Sequence, residues 1–551
     1  MKQSPAHGVL PLLLALSLAA CGGGGEGGSQ APDTPSTGAA ATSSGAITAF
    51  GSVFVNGHEF ATGSAQVVDD DTGDTTGRVA SLEVGQVVDV QPASDSTGAN
   101  PRAQWLHVHP LVRGHVDAAT ASTITVMGQS VSLDSGTLLS DHRACVNASA
   151  NPCTAIVDVS GLASTGGGTP GSYVSVDGYL FSGASAAAQI VATLVSVHDV
   201  PGAHIPAAFK VEGQVSATAS TSSSTSLTIG GLSIALDHAT CRVDGHARSC
   251  AGAFTSGDVV SVFSATAPAL PATAFDASVA IARQHLPVQA AGAAVEFDGR
   301  VSTSSATSFV VRGVNVDASA LPAGTALPAA GDLVRVAGTL AGDGQSVMAT
   351  AITVLHAARS ASYGLAGDVT AVAPGTASGT FDVTVLGQTI VVGAQTRLSD
   401  HQSRRWFEHD PQANPFNITT FQAYLATSAS KHVAVKAAKD GSGTLQALSF
   451  SIGPTSTLSE VAGPVDATPA PVMGSSSAPT TFSIDGVAVS AASGAVHFLR
   501  HASGPIGVGD AVLASGSFAA GVLGVTATEG FGNFVIDFGA PHGGEDDVPL
   551  Y

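Results

Sequence analysis

Gly114-His115-Val116, followed by Ile124-Thr125-Val126-Met127-Gly128-Gln129-Ser130-Val131, is the phrase from which this chain is built. It opens with Gly-x-Val, runs through one β-type segment, turns at a Gly and continues with a second apolar segment. Gly367-Asp368-Val369, followed by Val383-Thr384-Val385-Leu386-Gly387-Gln388-Thr389-Ile390, repeats it. The other copies centre their turns on Asn56-Gly57, Gly230-Gly231, Arg312-Gly313 and Asp485-Gly486. A phrase that recurs six times indicates an array of small domains rather than one large catalytic core. Asn56-Gly57, between Val53-Phe54-Val55 and His58-Glu59-Phe60, is the signature of a tight hairpin.

A third phrase recurs downstream: Gly85-Gln86-Val87-Val88, Gly257-Asp258-Val259-Val260, Gly331-Asp332-Leu333-Val334 and Gly509-Asp510-Ala511-Val512. A closing strand follows, as in Ala349-Thr350-Ala351-Ile352-Thr353-Val354. Each unit therefore reads as about five short strands, the content of a small closed barrel whose closure removes exposed edges. The expectation is an all-β tandem array of six five-stranded, OB-like barrels at 45–112, 113–200, 207–286, 294–358, 362–454 and 458–541, strung like beads on short connections. Residues 21–44, rich in Gly, Ser, Thr and Pro, read as a disordered tether, and 542–551 as a disordered tail. No long segment has a helical period, although Ser182 to Ala192 is ambiguous.

The N-terminus supplies an address. Residues 1–20 read as a signal peptide: Lys2 starts it, and the apolar run from Val9 to Ala20 is too short for a membrane-spanning helix. Leu18-Ala19-Ala20-Cys21 resembles the lipobox of bacterial lipoproteins, which implies cleavage before Cys21, lipidation of that residue and, with Gly22 following, the outer membrane. The competing reading is an ordinary secretory signal. Together with the Gly-rich tether and the repeated phrases, the chain resembles bacterial lipoproteins built from the domain of unknown function 5666. The resemblance implies OB-like barrels and no catalytic residue. One unit departs from the pattern, because Lys431-His432-Val433 replaces the Gly-Asp start.

Composition narrows the function. With 20 Lys plus Arg against 41 Asp plus Glu, 5% aromatics and a formal net charge of -21, nucleic acid is not an expected partner. The expected contacts are the membrane, through the Cys21 lipid, and a glycan or envelope protein. No cofactor and no metal is expected. Past Cys21 the cysteines form two local pairs, Cys145 with Cys153 and Cys241 with Cys250, expected as disulfides in an oxidising compartment. Zinc is the alternative, but neither pair has Cys-x-x-Cys spacing.

Candidate chemistry is sparse. An Asp-His recurs at Asp141-His142, Asp237-His238 and Asp400-His401, with His501 in a related place; it could poise a base or hold a metal, or merely cap a duplicated turn. On this alternative the protein is an envelope metal-dependent hydrolase. His107 and His109 share one strand face, an incidental surface pair unless a third ligand joins them. Asp69-Asp70-Asp71-Thr72-Gly73-Asp74 has a calcium-loop composition without the spacing, and reads as a solvated turn, with weak calcium binding as the alternative. Arg404, Arg405, Trp406 and Phe407 concentrate charge and aromatics, and form the candidate binding surface, the alternative being an aromatic plug folded back onto its own barrel. The chain has no recognisable catalytic motif, and an enzyme is not expected.

Overall fold

Barrel 4 shows the plan of each repeat without interruption. In the computed structural model its strands are Ala294–Ser304, Ser308–Val311, Val314–Asp317, Leu333–Leu340 and Ser346–His356. The first pairs with the second, the second with the third, and the third runs parallel to the fifth. The fifth returns antiparallel to the fourth, and the fourth to the first. The ring closes in the order 1-2-3-5-4-1 with no free edge. Alternation places Phe297, Val301, Phe309, Val316, Val334 and Val347 inside, each essentially solvent-free.

The structure describes residues 41–539 apart from internal stretches, the larger being 144–158, 164–169, 182–188, 201–207, 401–416, 499–504 and 527–533. All described residues lie in one unit, Ser36–Tyr551. Cys21, the Cys145–Cys153 pair, His401, Arg404, Arg405, Trp406, Phe407 and His501 fall outside the described residues. The barrel 4 ring recurs in five further barrels, whose first strands are Thr42–Phe50 (barrel 1), Val112–Ala119 (2), Phe209–Ser220 (3), Ser362–Pro374 (5) and Ser459–Pro464 (6). Barrel 1 closes through a bridge between Ala61 and Arg102, and barrel 6 through one between Val465 and Ile484. In barrel 3 the fifth strand is split into Ala274–Asp276 and Val279–Arg283. The nearly all-β array expected from the repeats is what forms.

Each repeated phrase has a physical cause. Gly-x-Val is a barrel corner: the first strand leaves the fourth and joins the second there, with a register shift just past the Val or Ile in barrels 1 to 5. The hairpin turn places two residues at positive φ, as in Met127 (51°) and Gly128 (70°), or Arg312 (54°) and Gly313 (80°). The corner glycine makes room for that turn: a Cβ on Gly114 would lie 2.3 Å from Met127 Cγ. The Gly-Asp phrase bonds back to the corner. Gly331 N donates to Val301 O at 2.7 Å, Val301 N donates to Asp332 O at 2.8 Å, and Asp332 Oδ2 accepts from Ala329 N. In barrel 5 Lys431 takes the Asp place, with Val369 N donating to its carbonyl at 2.9 Å, so the departing sequence keeps the bond.

Three expectations are corrected. The barrels are not beads on a string, because first strands pair across barrels: 1 with 4 in parallel, 2 with 3 and 5 with 6 antiparallel. The tether stops before Ser44, since Thr42, Ser43 and Ser44 are buried in the first strand between barrels 1 and 4. Their small side chains fit the crowded space, and their backbones pair on both sides. A helix is also present, Ile418–Leu425, capped by Asn417, with Phe421 packed edge-on against Phe450 in barrel 5. At eight residues it is too short to print a period in the sequence. Among the described residues no helix is long and apolar enough to cross a membrane.

Candidate functional site

Among the described residues, a cluster of buried ionisable side chains lies where barrels 1, 2 and 3 meet. Strand Gln66–Asp69 runs parallel to Ala103–Val108, which brings the Asp-rich loop beside His107 and His109. Asp70 Oδ1 lies 2.7 Å from His107 Nδ1, and Asp70 Oδ2 lies 3.8 Å from His109 Nδ1. Asp71 Oδ1 accepts from Lys210 Nζ at 2.7 Å and from Arg283 Nη2 at 3.0 Å. Arg113 lies 3.4 Å from Asp71 and 3.5 Å from Asp69. Lys210 also reaches Glu212 at 3.1 Å, and Ser261 Oγ donates to that carboxylate. The side chains of Lys210 and Asp71 are both 0% exposed.

Protonation follows from these contacts. Burial alone would raise the Glu212 carboxyl, but Lys210, His109 and Arg283 outweigh it and hold it at about 2. Burial likewise opposes ionisation of Asp70, and the His107 hydrogen bond and charge overcome it, leaving the pKa lowered. The Asp70 hydrogen bond in turn raises His107. Asp69, Asp70 and Asp71 are therefore paired with cations of this chain rather than left in solvent, whereas Asp74 is exposed. His107 and His109 do share a face as expected, but they form part of this junction rather than an incidental surface pair.

Among the described residues, the Asp-His positions of barrels 2 and 3 do not form one site. His142 follows strand Leu138–Asp141 and sits between barrels 1 and 2. Its Nε2 is 2.7 Å from Ser140 Oγ and 2.9 Å from Glu83 Oε2, and its ring stacks on His198 at 5.2 Å. A Ser-His-acid relay needs the two ring nitrogens to serve different partners. Here hydroxyl and carboxylate meet the same nitrogen, and Ser140 is buried. The Glu83 hydrogen bond raises His142, whereas burial and the His142 charge lower His198. Burial and the charge of Glu83 push Asp177 up to about 7. Asp141 is paired with Arg143.

Asp237 is elsewhere: its Oδ1 accepts from Thr225 N at 2.7 Å at an exposed turn, and His238 is exposed. The backbone explains the mismatch. Leu133 N and Leu236 N donate to equivalent carbonyls, of Ser122 and Thr225, so Asp237 is the counterpart of Asp134 rather than of Asp141. The barrel 3 dipeptide is thus a coincidence of sequence, whereas Asp400 ends the strand Arg397–Asp400 of barrel 5, the equivalent of Leu138–Asp141 in barrel 2. Among the described residues no group of three or more His, Cys, Asp or Glu is placed to hold a metal ion.

Other joints were not singled out from the sequence. Tyr179 Oη, in barrel 2, donates to Asp298 Oδ1 of barrel 4 at 2.5 Å and accepts from Ala46 N of barrel 1 at 3.0 Å. Arg312 lies over its ring at 5.3 Å. A signal was present: Arg113, Glu212 and Asp298 each directly precede the corner glycine, an odd place for charge in a buried strand. Cys241 and Cys250 are joined as a disulfide at the base of a hairpin in barrel 3.

Residues 44–104, 113–191 and 298–353 match the family model described as Domain of unknown function (DUF5666). Three segments of this chain are DUF5666 domains. They coincide with barrels 1, 2 and 4. Barrels 3, 5 and 6 repeat the DUF5666 strand order outside the matched residues. No curated protein is significantly similar to the chain.

Proposed function

We propose that this chain is a non-enzymatic binding or structural module of the cell envelope, anchored in the outer membrane by a lipid on Cys21. The observation that carries the reading is the fate of its reactive side chains. Asp71, Lys210, Glu212 and Arg283 are spent on one another between barrels, and His142 offers a single nitrogen to both Ser140 and Glu83. Such joints give a rigid frame, and a rigid frame carrying many loops suits recognition. The lipobox-like Leu18-Ala19-Ala20-Cys21 supports the anchor, and the acidic balance supports a glycan or an envelope protein over nucleic acid.

Two measurements test it. Cys21→Ser is expected to move the protein from the membrane fraction to the soluble one, and unchanged membrane association contradicts the anchor. Thermal unfolding of the lipid-free chain is then followed with glycans, divalent metals and single-stranded DNA, since a ligand of the folded state raises Tm by mass action. A shift with a glycan supports the module. A shift with a transition metal alone, with hydrolysis lost in His142→Ala, supports a metal-dependent hydrolase instead.

A further inference from the structure

We infer that the contact between barrels 1 and 2 is a proton-operated latch: protons on His142 and Asp177 hold it shut, and their loss loosens it. The contact is close. Gly85 of barrel 1 packs so tightly on barrel 2 that a Cβ there would lie 2.9 Å from Thr193 O. Two carboxyl groups meet across it. Glu83 comes from barrel 1, just after the short helical turn Val79–Ser81, and lies 2.9 Å from His142 Nε2. Asp177 comes from strand Tyr173–Phe181 of barrel 2, is 3% exposed and accepts from Val87 N of barrel 1. Its Oδ1 finds no hydrogen-bond donor among the described residues.

Charge is costly in such a place, and the two acids repel. Burial and the Glu83 charge keep the Asp177 proton up to about 7, and the hydrogen bond to Glu83 keeps that of His142 above the ordinary 6.5. With both protons present, His142 neutralises Glu83 and Asp177 is uncharged. Without them, two carboxylates face each other in a buried contact. The neighbouring cations are committed elsewhere: Arg113 to Asp69 and Asp71, Arg143 to Asp141, Lys210 to Asp71 and Glu212. Asp199 adds a further negative charge beside Arg143. Closure binds protons that opening releases, so rising pH favours opening, through Asp177 from 3.8 to about 7 and through His142 from 6.5 upward. His198, stacked on His142 and lowered by burial and that charge, acts in the opposite sense, but only below 6.5. The weakening is therefore concentrated above 6.5. Asp71 keeps barrel 1 attached through Lys210 and Arg283, so the latch frees only the segment around Glu83.

The test is hydrogen exchange of the full chain between about pH 6 and pH 8, read as protection of the Val87 amide. Its reference is the Ala103 amide, which bonds within barrel 1 to Ala61 O at 2.9 Å. Opening linked to one proton changes about tenfold per pH unit, so protection at Val87 should fall about tenfold or more over that range while Ala103 holds. Asp177→Asn, uncharged at every pH, should remove most of the fall. Circular dichroism reports whether that variant is folded, and Glu83→Gln, which removes the other carboxylate, serves in its place if it is not. Protection at Val87 that stays flat with pH, or that falls equally in a folded variant, overturns the latch. A parallel fall at Ala103 also overturns it, because barrel 1 would then be opening as a whole.

Discussion

The junction between barrels 2 and 3 and that between barrels 5 and 6 use the same antiparallel pairing of first strands, yet they hold together by different means. At the first, Lys210 faces Arg113 and Val211 faces Val112. At the second, Gly364, Leu365 and Ala366 face Ala462, Val461 and Glu460. At the 5–6 junction the residues directly before the corner glycines are Ala366 and Ala462, and the strands meet with no cation between them. At the 2–3 junction those residues are Arg113 and Glu212, with Lys210 two positions earlier, and barrel 1 supplies countercharge to the buried cations through Asp69 and Asp71. A few side chains beside a common corner thus decide whether a junction draws countercharge from a further barrel.

The comparison breaks most visibly at Lys210. Lys210→Met leaves Asp71 and Glu212 without their buried cation, and urea unfolding should register a loss of about 3–5 kcal/mol. Acid should sharpen the effect. Glu212 is depressed from 4.5 to about 2, so its contribution is present above the unfolded value and is lost as pH falls toward 2. Without Lys210 that loss should begin at higher pH. An unfolding curve unchanged in either respect would mean that the network stabilises nothing.

The 5–6 junction should respond in the opposite sense. Burial pushes Glu460 up to about 7 against the lowering by Ser515, so the folded state keeps a proton that the unfolded chain releases near 4.5. Stability should therefore fall as pH rises from 4.5 to 7. Glu460→Gln should recover about 2–3 kcal/mol at pH 8 and almost nothing at pH 4.5. Equal effects at the two pH values would show that Glu460 is not held neutral.

Away from both junctions, Cys241→Ser with Cys250→Ser opens a short loop and should cost about 2–3 kcal/mol, measured against the oxidised wild type. A smaller effect is expected at the barrel 1–2 contact. There the raised His142 contributes stability below pH 6.5 that is lost as pH rises through its folded value. His142→Gln should cost about 0.5–1.5 kcal/mol at pH 5.5 and less at pH 8.5. His238→Gln, exposed, should change stability by less than about 0.5 kcal/mol at either pH.

The fold was legible because its cause is local. Asn56-Gly57 or Met127-Gly128 sets a turn, the corner glycine accommodates it, and Gly-Asp bonds back to the corner, so each phrase is a stretch of geometry within one barrel. The junctions were not legible because they join residues far apart in the chain. Lys210 meets Asp71 across 139 positions, and Tyr179 meets Asp298 across 119. No period records such a meeting. The non-equivalence of Asp141 and Asp237 was hidden for a related reason: Asp141 ends an added strand, whereas Asp237 directly follows the hairpin, and the dipeptide alone does not carry that register.

The central claim is that neighbouring barrels are joined through their first strands. The most direct measurement is hydrogen exchange at the amide of Glu212, which donates across the 2–3 junction to Leu111 O at 2.8 Å. Its reference is the amide of Val215, bonded within barrel 3 to Asp258 O at 2.8 Å. Joined barrels predict protection at Glu212 of the same order as at Val215. Free exchange at Glu212 beside a protected Val215 would contradict the account, and would mean independent barrels on a string.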